Sequence, residues 1–263
     1  MIGQTRVPDA LIRGFACVWT RLAGGAVEER ECVAGRLMIW RGNDGRAQAL
    51  PDRMYGLMGP NRESVRPGDL PSGLWVNLPP GVVTPDVEPH CLGHALQATT
   101  VEAAWDSLRR VGRQGVDKAR RMGCRLDELA DHEYLELAGL KARALGGREP
   151  VPELLAALRD TFGSEHVLLT GVRVESSPVA AVLAVRVGAY GMLVDGASDR
   201  AHWDKNPNNL AVWKAVSSLV AGGCTEVDYG FSPVGAGDAR FKDHMGGRAT
   251  PLYRVLGTGQ EPE

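Results

Sequence analysis

The second half of the chain carries the most regular alternation of apolar and polar segments. Two runs rich in β-branched residues, His166–Val174 and Val179–Val187, are joined by the turn-forming segment E-S-S-P and predict a hairpin. After this hairpin the pattern predicts a strand at Tyr190–Asp195, a helix at Pro207–Ala221 and a strand at Cys224–Val227. A short helix at Ala239–Met245 and a last strand at Pro251–Leu256 follow. This order predicts an α/β fold with a mixed, twisted sheet flanked by helices.

Helical spacing of apolar residues also marks the middle of the chain. Thr100, or the threonine before it, is placed to cap a helix that runs to Met122, and the next glycine is placed to end that helix. Two further helices are predicted at Asp131–Leu145 and Pro150–Phe162.

The first third of the chain has a weaker pattern and contains no recognisable motif. Short apolar runs predict strands at Gly14–Trp19, Arg36–Trp40 and Cys91–Thr99, with a G-N-D-G turn at residues 42–45. The many prolines between residues 59 and 89 exclude a helix or a central strand there. Such a long loop either covers a substrate cleft or is an ordinary surface excursion, and the sequence leaves both interpretations open.

Composition narrows the class of protein. The chain has 263 residues, of which 44% are hydrophobic, enough for one large core or two small ones. Its net charge of −2 and pI near 6.3 exclude a surface that coats nucleic acid as a whole. The five cysteines are scattered, without a C-x-x-C pair, which is typical of free thiols in a reducing compartment. Because the sequence contains no signal-like segment and no membrane-length apolar run, we expect a cytoplasmic protein without a membrane partner.

A basic cluster is the one local exception to this acidic balance. Seven cationic residues lie on, or directly after, the predicted helix that ends at Met122. They are Arg109, Arg110, Arg113, Lys118, Arg120, Arg121 and Arg125. Only two aspartates oppose them, so the cluster is suited to binding phosphate. A solvated charged face is the alternative interpretation.

The stretch from Val227 to Gly247 is the strongest candidate for a functional site. Glycines at high density follow an apolar strand and surround the triplet Arg240, Phe241 and Lys242. Glycines permit positive φ angles and close approach of another molecule, and loops that follow strands of an α/β sheet are common binding sites. We therefore favour a binding or catalytic function over an ordinary surface turn.

These residues resemble the end of the Fem-like transferases of the GNAT superfamily. The resemblance consists of D-Y-G, a glycine-rich loop, F-K and G-G before the strand P-L-Y-R-V-L, and it extends upstream through N-P-N-N-L-A-V-W-K-A-V. It covers about the last two thirds of the chain and includes the basic helix weakly. It implies two tandem GNAT-like halves, a degenerate one at residues 1–125 and one with the F-K motif at residues 126–263.

The resemblance also implies roles for individual residues. Lys242 corresponds to the lysine that stabilises the transition state or the leaving ribose oxygen, and Phe241 lines the channel for the aminoacyl end. The remaining candidates are substrate contacts at Asn209, Trp213, Asp228, Tyr229 and Arg240, and tRNA contacts at Arg113, Lys118, Arg120 and Arg121.

Several of these assignments have structural alternatives. Asn209 and Trp213 share a helix face, but a capping asparagine and a core tryptophan give the same spacing. Asp228 is placed to accept an amine proton, or to bind backbone as a structural carboxylate. Tyr190 and Trp203 are further aromatic candidates.

The leading hypothesis is therefore an aminoacyl-tRNA-dependent transferase that forms a peptide bond on the amine of a small peptide, in peptide-antibiotic biosynthesis. The alternatives are an N-acyltransferase that uses acyl-CoA or an acyl carrier protein, a peptidoglycan-precursor ligase, and a binding module without catalysis. We expect no cofactor and no metal. The string R-R-V-G-R-Q differs from the Q/R-x-x-G-x-G/A loop of CoA enzymes and is predicted to lie mid-helix, and Ser232 lacks a G-x-S-x-G context. The sequence does not predict an oligomeric state.

Overall fold

The structure is a computed structural model that describes residues 7–32, 35–41, 43, 47–50, 57–58, 66–72, 74–78, 89–145 and 150–258. The chain forms two compact units. Residues 1–93, 230–239 and 249–263 belong to the first unit, and residues 94–229 and 240–248 belong to the second. The sequence predicted two related GNAT-like halves that meet at residue 125. The division into compact units does not test whether two halves are homologous, so this stays a prediction.

The first unit combines one helix with short strands. Its elements are α1 Asp9–Ala23, β1 Ala26–Cys32, β2 Gly35–Arg41, β3 Ala47–Leu50, β4 Leu57–Met58, β5 Trp75–Leu78 and all but the first residue of β12 Arg248–Leu256. Three more elements are divided between the two units and are given with the second unit. Strands β1, β2 and β3 form an antiparallel sheet in that order, and β4 also pairs with β2. Strand β12 pairs antiparallel with β5.

The strand predicted at Gly14–Trp19 is wrong, because these residues lie in helix α1. That apolar run is the middle of a longer helical pattern in which Leu11, Ile12 and Val18 are buried. The acidic Asp9 in its first turn and Arg21 in its last turn both suit the helix dipole. A short apolar run does not distinguish a strand from a buried helix, and here the flanking residues determine the outcome.

Two sequence predictions in this part of the chain lie largely outside the described residues. The G-N-D-G turn at residues 42–45 is described only at Asn43. Within the proline-rich stretch, residues 59–65, 73 and 79–88 are not described, so the idea that this stretch covers a cleft remains untested.

The second unit contains most of the helices and the central strands. Its elements are β6 Cys91–Gln97, α2 Val101–Ser107, α3 Arg110–Arg121, β7 Cys124–Asp127, α4 Asp131–Leu145, α5 Leu154–Phe162, β8 Val167–Val174, β9 Ser177–Val187, β10 Tyr190–Ser198, α6 Pro207–Ala221, β11 Glu226–Pro233 and α7 Gly237–His244. The eight-stranded sheet has the order β5-β12-β6-β11-β10-β9-β8-β7. Strands β6, β11 and β12 and helix α7 contribute residues to both units. Because β10 and β11 are parallel while β7 to β10 are antiparallel, the sheet is mixed. The predicted α/β class with a mixed sheet flanked by helices is confirmed.

The helix predicted to run unbroken to Met122 is interrupted. Leu108 and Arg109 have extended backbone between α2 and α3, and Leu108 is buried. The Ser107 hydroxyl donates to the carbonyl of Ala103, a local bond that competes with helix continuation. The R-R-V-G-R-Q string therefore lies at the start of α3, and not in the middle of a helix as the sequence predicted.

Strand β11 is longer than predicted. It continues through D-Y-G-F-S to Pro233, although Gly230 within it has φ +71. A glycine inside a strand suggested the start of a loop, whereas here it marks an irregular position in a strand that continues. Only a short loop remains between β11 and α7. The F-K pair lies on α7.

The core of the second unit lies between the sheet and the helices. Helix α6 packs on β8, β9 and β10, and its buried residues include Leu210, Trp213 and Leu219. Helix α4 packs on β9 and β10. In the part of the chain that the structure describes, no helix combines the length and apolar character needed to cross a bilayer.

Candidate active site

Helix α7 carries the F-K pair and ends in a tight turn. Phe241 is half-buried and packs against the core of the second unit, Lys242 is half-buried, and Arg240 is exposed. The Gly247 amide donates to the carbonyl of Lys242 over 2.9 Å, which closes the turn. Gly246 adopts φ +90 in this turn, a conformation that favours glycine. The G-G sequence therefore fixes where the helix ends and holds the backbone of Lys242.

The start of the basic helix α3 lies directly on the end of α7. The Arg109 amide donates to the His244 carbonyl over 3.0 Å, and the Arg109 guanidinium contacts Asp243 Oδ1 at 2.6 Å. Gly112 lies so close that an added Cβ would overlap the His244 carbonyl oxygen. The structure thus brings together the two segments that the sequence marked as functional.

A small polar pocket opens at this junction. It encloses about 240 Å³ and is lined by Gln97, Ser107, Arg109, Asp243, Gly246, Gly247 and Arg248. Two arginines give it cationic character, which Asp243 partly balances. The F-K side chains are not among its lining residues, but the backbone of Lys242 is bonded to one of its walls.

Sequence reasoning did not select Arg109, Asp243 or Arg248 as site residues. Arg109 was one of seven cations on a helix, and the ion pair that distinguishes it joins residues 134 positions apart. The position of Arg248 directly after the G-G turn was the only local signal available for that residue.

The two tyrosines near the start of β10 and on β11 have well-defined partners. The Tyr190 hydroxyl donates to Asp228 Oδ2 over 2.7 Å, and the Tyr229 hydroxyl donates to the Met245 carbonyl over 2.8 Å. Burial raises the pKa of Tyr229 above its ordinary value, so this hydroxyl stays a donor at any physiological pH. Both bonds are structural contacts; substrate contact by Asp228 or Tyr229 stays a prediction.

We expect Tyr229→Phe to destabilise the protein by about 1–2 kcal/mol, because the buried Met245 carbonyl would lose its donor. The measurement is the free energy of unfolding in urea. Tyr253→Phe is the control, since Tyr253 is a half-buried tyrosine of β12. Equal stability of the Tyr229 variant and wild type would show that the bond to Met245 does not stabilise the fold.

The two α6 candidates point towards protein, not solvent. Asn209 is half-buried, contacts Gly115 of α3, and its side-chain amide donates to the Met245 sulfur over 3.4 Å. Trp213 is buried and its ring meets Trp105 edge to face at 4.8 Å between centroids. Asn206 occupies the N-cap position of α6 without a capping hydrogen bond from its side chain, and Asn209 lies one turn further on. Their predicted contact with substrate remains untested.

The predicted tRNA contacts on α3 have different environments. Arg113 is half-buried and donates to the carbonyls of Trp105 and Asp106, where α2 ends. The exposed cations on the second half of α3 are Lys118, Arg120 and Arg121. Arg120 lies 3.6 Å from the Asp117 carboxylate. An ion pair at an exposed surface contributes little to the free energy of folding. These three remain available to an external anion.

The pairing of β10 with β11 is short. Its parallel register contains three residue pairs, from Tyr190 with Glu226 to Met192 with Asp228. Directly afterwards, β10 has an irregularity between Leu193 and Asp195 in its pairing with β9. A bulge of this kind redirects the following side chains and is common next to binding sites.

Comparison with known proteins identifies the family of this chain. Residues 100–243 match the family described as Acetyltransferase (GNAT) domain, which is more than half of the chain, and the protein therefore belongs to that family. It is a transferase of the GNAT superfamily. None of the curated proteins compared with the chain matches it.

Solved structures show the same fold at low sequence identity. The crystal structure of FemX has a TM-score of 0.65 and 10% identity, covering 92% of this chain and 90% of that chain. The C-terminal domain of a putative lysylphosphatidylglycerol synthetase from Agrobacterium fabrum has a TM-score of 0.60 and 12% identity, covering 95% and 90%. A tandem GNAT protein from the clavulanic acid biosynthesis pathway has a TM-score of 0.53 and 12% identity, covering 99% and 92%. The predicted Fem-like, GNAT-type fold is confirmed.

Proposed function

We propose that the protein is an aminoacyl-tRNA-dependent aminoacyltransferase that forms a peptide bond on the amine of a small peptide. The observation that carries this proposal is the junction of α3 with α7, where Arg109 binds both Asp243 and the carbonyl of His244. It connects a helix with exposed cations, suited to the phosphates of tRNA, to the helix that carries Lys242. A donor bound along α3 would bring its acyl end towards α7.

The chemistry requires a cation near the reacting carbonyl. The acceptor nitrogen attacks the ester carbonyl carbon of the donor, a C–N bond forms, and the C–O bond to the terminal ribose breaks. The ribose oxygen leaves as a hydroxyl with the proton that the amine loses. Negative charge develops on the carbonyl oxygen and then on the leaving oxygen, so a positioned cation lowers the barrier. We assign this role to Lys242 and the lining of the aminoacyl path to Phe241.

The acceptor and the setting are proposed from the neighbours in fold. FemX and the putative lysylphosphatidylglycerol synthetase domain favour an aminoacyl donor, and the tandem GNAT protein of clavulanic acid biosynthesis favours a secondary-metabolite pathway. We therefore propose a small peptide of an antibiotic pathway as acceptor. Because aminoacyl-tRNA is a cytoplasmic donor, the reaction would take place in the cytoplasm.

A transfer assay tests the donor. Radiolabelled total aminoacyl-tRNA is incubated with the full chain and a panel of small peptide amines, with and without ribonuclease. We expect label in the peptide fraction that ribonuclease pretreatment abolishes. Label that never leaves tRNA, together with thiol release from acetyl-CoA in parallel reactions, would instead establish an acyl-CoA N-acyltransferase. The family description, Acetyltransferase (GNAT) domain, is the observation that favours this second candidate.

A second prediction concerns the tRNA surface. We expect the triple variant Lys118→Ala/Arg120→Ala/Arg121→Ala to bind tRNA more weakly and with a salt dependence whose logarithmic slope is smaller by about 2 to 3. Each lost phosphate contact releases one counterion fewer, which is the reason for the smaller slope. The measurement is tRNA affinity at several salt concentrations.

Lys214→Ala is the matched control for that variant, since Lys214 is an exposed lysine of another helix, α6. Its slope should equal that of wild type. A triple variant with an unchanged slope would place the tRNA on another surface.

A further inference from the structure

The polar pocket of about 240 Å³ at the α3–α7 junction has no part in the chemistry assigned to Lys242. Its seven lining residues all belong to the second unit. Its volume lies below the roughly 300–1,000 Å³ of sites that enclose a drug-sized ligand. Gly246 and Gly247 line it without side chains, so a ligand can come close to the backbone. The pocket therefore suits one small polar group of a larger molecule.

Two guanidinium groups of this pocket keep donors available. Arg109 donates from Nη2 to Asp243 Oδ1 over 2.6 Å, and the rest of this guanidinium has no partner among the described residues. Within the same part of the chain, the exposed side chain of Arg248 has no hydrogen bond or ion pair. A guanidinium has only N–H donors and no acceptor, so the pocket favours an anion that supplies oxygen atoms.

The charge balance of the pocket suits a monoanion. The two arginines and Asp243 are its charged lining residues, and they leave one net positive charge. A phosphodiester carries one negative charge, and arginine binds phosphate through parallel N–H···O bonds. The ion pair with Asp243 fixes the direction of the Arg109 guanidinium without neutralising the pocket.

The pocket lies at the first end of α3, and the exposed cations that suit tRNA lie on the second half of this helix. A helix rises about 1.5 Å per residue, so Arg109 lies about 14 Å from Lys118 and about 18 Å from Arg121 along the axis. Stacked nucleotides rise about 3.4 Å each, so roughly four to five of them span this length. That is comparable to the unpaired 3′ end of a tRNA, which carries the aminoacyl group.

We propose that this pocket binds the last phosphodiester of the donor, the one that joins the terminal adenosine to the rest of the tRNA. Arg248 and Arg109 bind its oxygens, and Asp243 is a positioning residue that holds Arg109. The pocket adjoins the F-K helix, because the amide of Gly247 in its wall donates to the Lys242 carbonyl over 2.9 Å. In aminoacyl-tRNA only the terminal ribose separates this phosphodiester from the reacting ester. The inference rests on the proposed function insofar as that function supplies a tRNA donor.

A binding experiment without acyl transfer tests the pocket. The probe is the trinucleotide CpCpA, and its matched control carries an uncharged methylphosphonate in place of the phosphodiester before the adenosine. Both are titrated into the full chain by calorimetry. We expect wild type to bind the control more weakly by about tenfold or more, since a charge-assisted bond is lost. Arg248→Met should lose most of this discrimination.

Two further variants make the result specific to the pocket. Arg254→Met is the matched control, because Arg254 is an exposed arginine of the same strand, β12, outside the pocket lining. It should discriminate between the probes as wild type does. Arg248→Lys keeps the charge but not the forked donors, and should recover part of the loss. Full discrimination by Arg248→Met, or equal or absent binding of both probes by wild type, would reject the pocket as the phosphate site.

Steady-state kinetics identify which substrate supplies the anion. Arg248→Met should raise the KM for aminoacyl-tRNA by about tenfold and leave the KM for the acceptor unchanged. A rise in the KM for the acceptor instead would show that the pocket holds an acceptor carboxylate, and the proposal would be wrong. If the variant raises the KM for acetyl-CoA, a phosphate of the coenzyme uses the pocket and the tRNA assignment is wrong.

The two proposals can fail separately. Probe discrimination that depends on Arg248, in a protein that fails to use aminoacyl-tRNA, would retain the phosphate site and reject the proposed donor. Transfer from aminoacyl-tRNA by a protein that does not discriminate between the probes would retain the donor and reject the pocket.

Discussion

Lys242→Ala should lower kcat/KM for acyl transfer by about 10²- to 10³-fold, the loss typical of removing one group that stabilises a developing oxyanion. The residue lies on α7 where the G-G turn holds its backbone, and it is half-buried, so its charge is less screened than that of a surface lysine. The loss should fall mainly on kcat, because the charge that our proposal assigns Lys242 to stabilise exists only in the transition state.

Two further variants make this expectation specific. Lys242→Arg keeps the charge but changes its geometry, and should retain an intermediate activity. Lys214→Ala removes an exposed lysine of α6 and should match wild type in both kinetic constants. If Lys242→Ala keeps its kcat and changes only the affinity for the acceptor, the catalytic assignment is wrong, and the F-K helix is a binding element.

The parts of the fold that the sequence predicted well are those with local signals at both ends. Helix α6 begins at Pro207, a residue suited to the first helical position, and ends before Gly222, so both predicted bounds agree with the structure. Helix α4 agrees in the same way at Asp131 and Leu145. Both helices also carry a continuous apolar face, and the two kinds of signal point to the same residues.

The errors arose where a local signal had more than one structural outcome. The apolar run at Gly14–Trp19 suits a strand or a buried helix, and only the polar residues around it extend the helical period. The predicted strand ended at Val227, before the glycine-rich segment, but β11 continues to Pro233 and passes through Gly230 with a positive φ. The break between α2 and α3 depends in part on the His244 carbonyl, which accepts from the Arg109 amide and lies far away in sequence.

The candidate site shows the same limit. The sequence singled out the F-K pair and the basic helix separately, each from its own composition. It contained no signal that Arg109 would pair with Asp243, or that the two would line one pocket with Arg248. This arrangement depends on how α3 meets α7, and is a consequence of packing rather than of local pattern.

The contact between α3 and α7 depends on the absence of a side chain at Gly112, and this gives the largest expected effect on stability. An added Cβ would overlap the carbonyl oxygen of His244, which is backbone and cannot rotate away. Gly112→Ala should therefore push the two helices apart and lower the free energy of unfolding by about 2 kcal/mol, within the range for overpacking a close contact. The gain in helix propensity, about 1 kcal/mol, is too small to offset the full strain.

The matched glycine variants should follow an order set by what each new methyl group meets. Gly115→Ala would meet the side chain of Asn209, which can turn away with loss of its bond to Met245, so its cost should be smaller. Gly237→Ala at the start of α7 meets nothing within 4 Å and should be neutral or slightly stabilising. Urea unfolding gives the three stabilities, and the transfer assay gives the activity of each variant that remains folded.

Activity connects this series to the proposed mechanism. If the α3–α7 junction aligns the donor with Lys242, Gly112→Ala should lose transfer activity by at least tenfold even under conditions where it is fully folded, because a displacement of about 1 Å at a reacting centre has a cost of this order or larger. Gly237→Ala should keep wild-type activity. A Gly112 variant that is destabilised but fully active would show that the junction serves stability alone, and the donor would then have to reach Lys242 without α3.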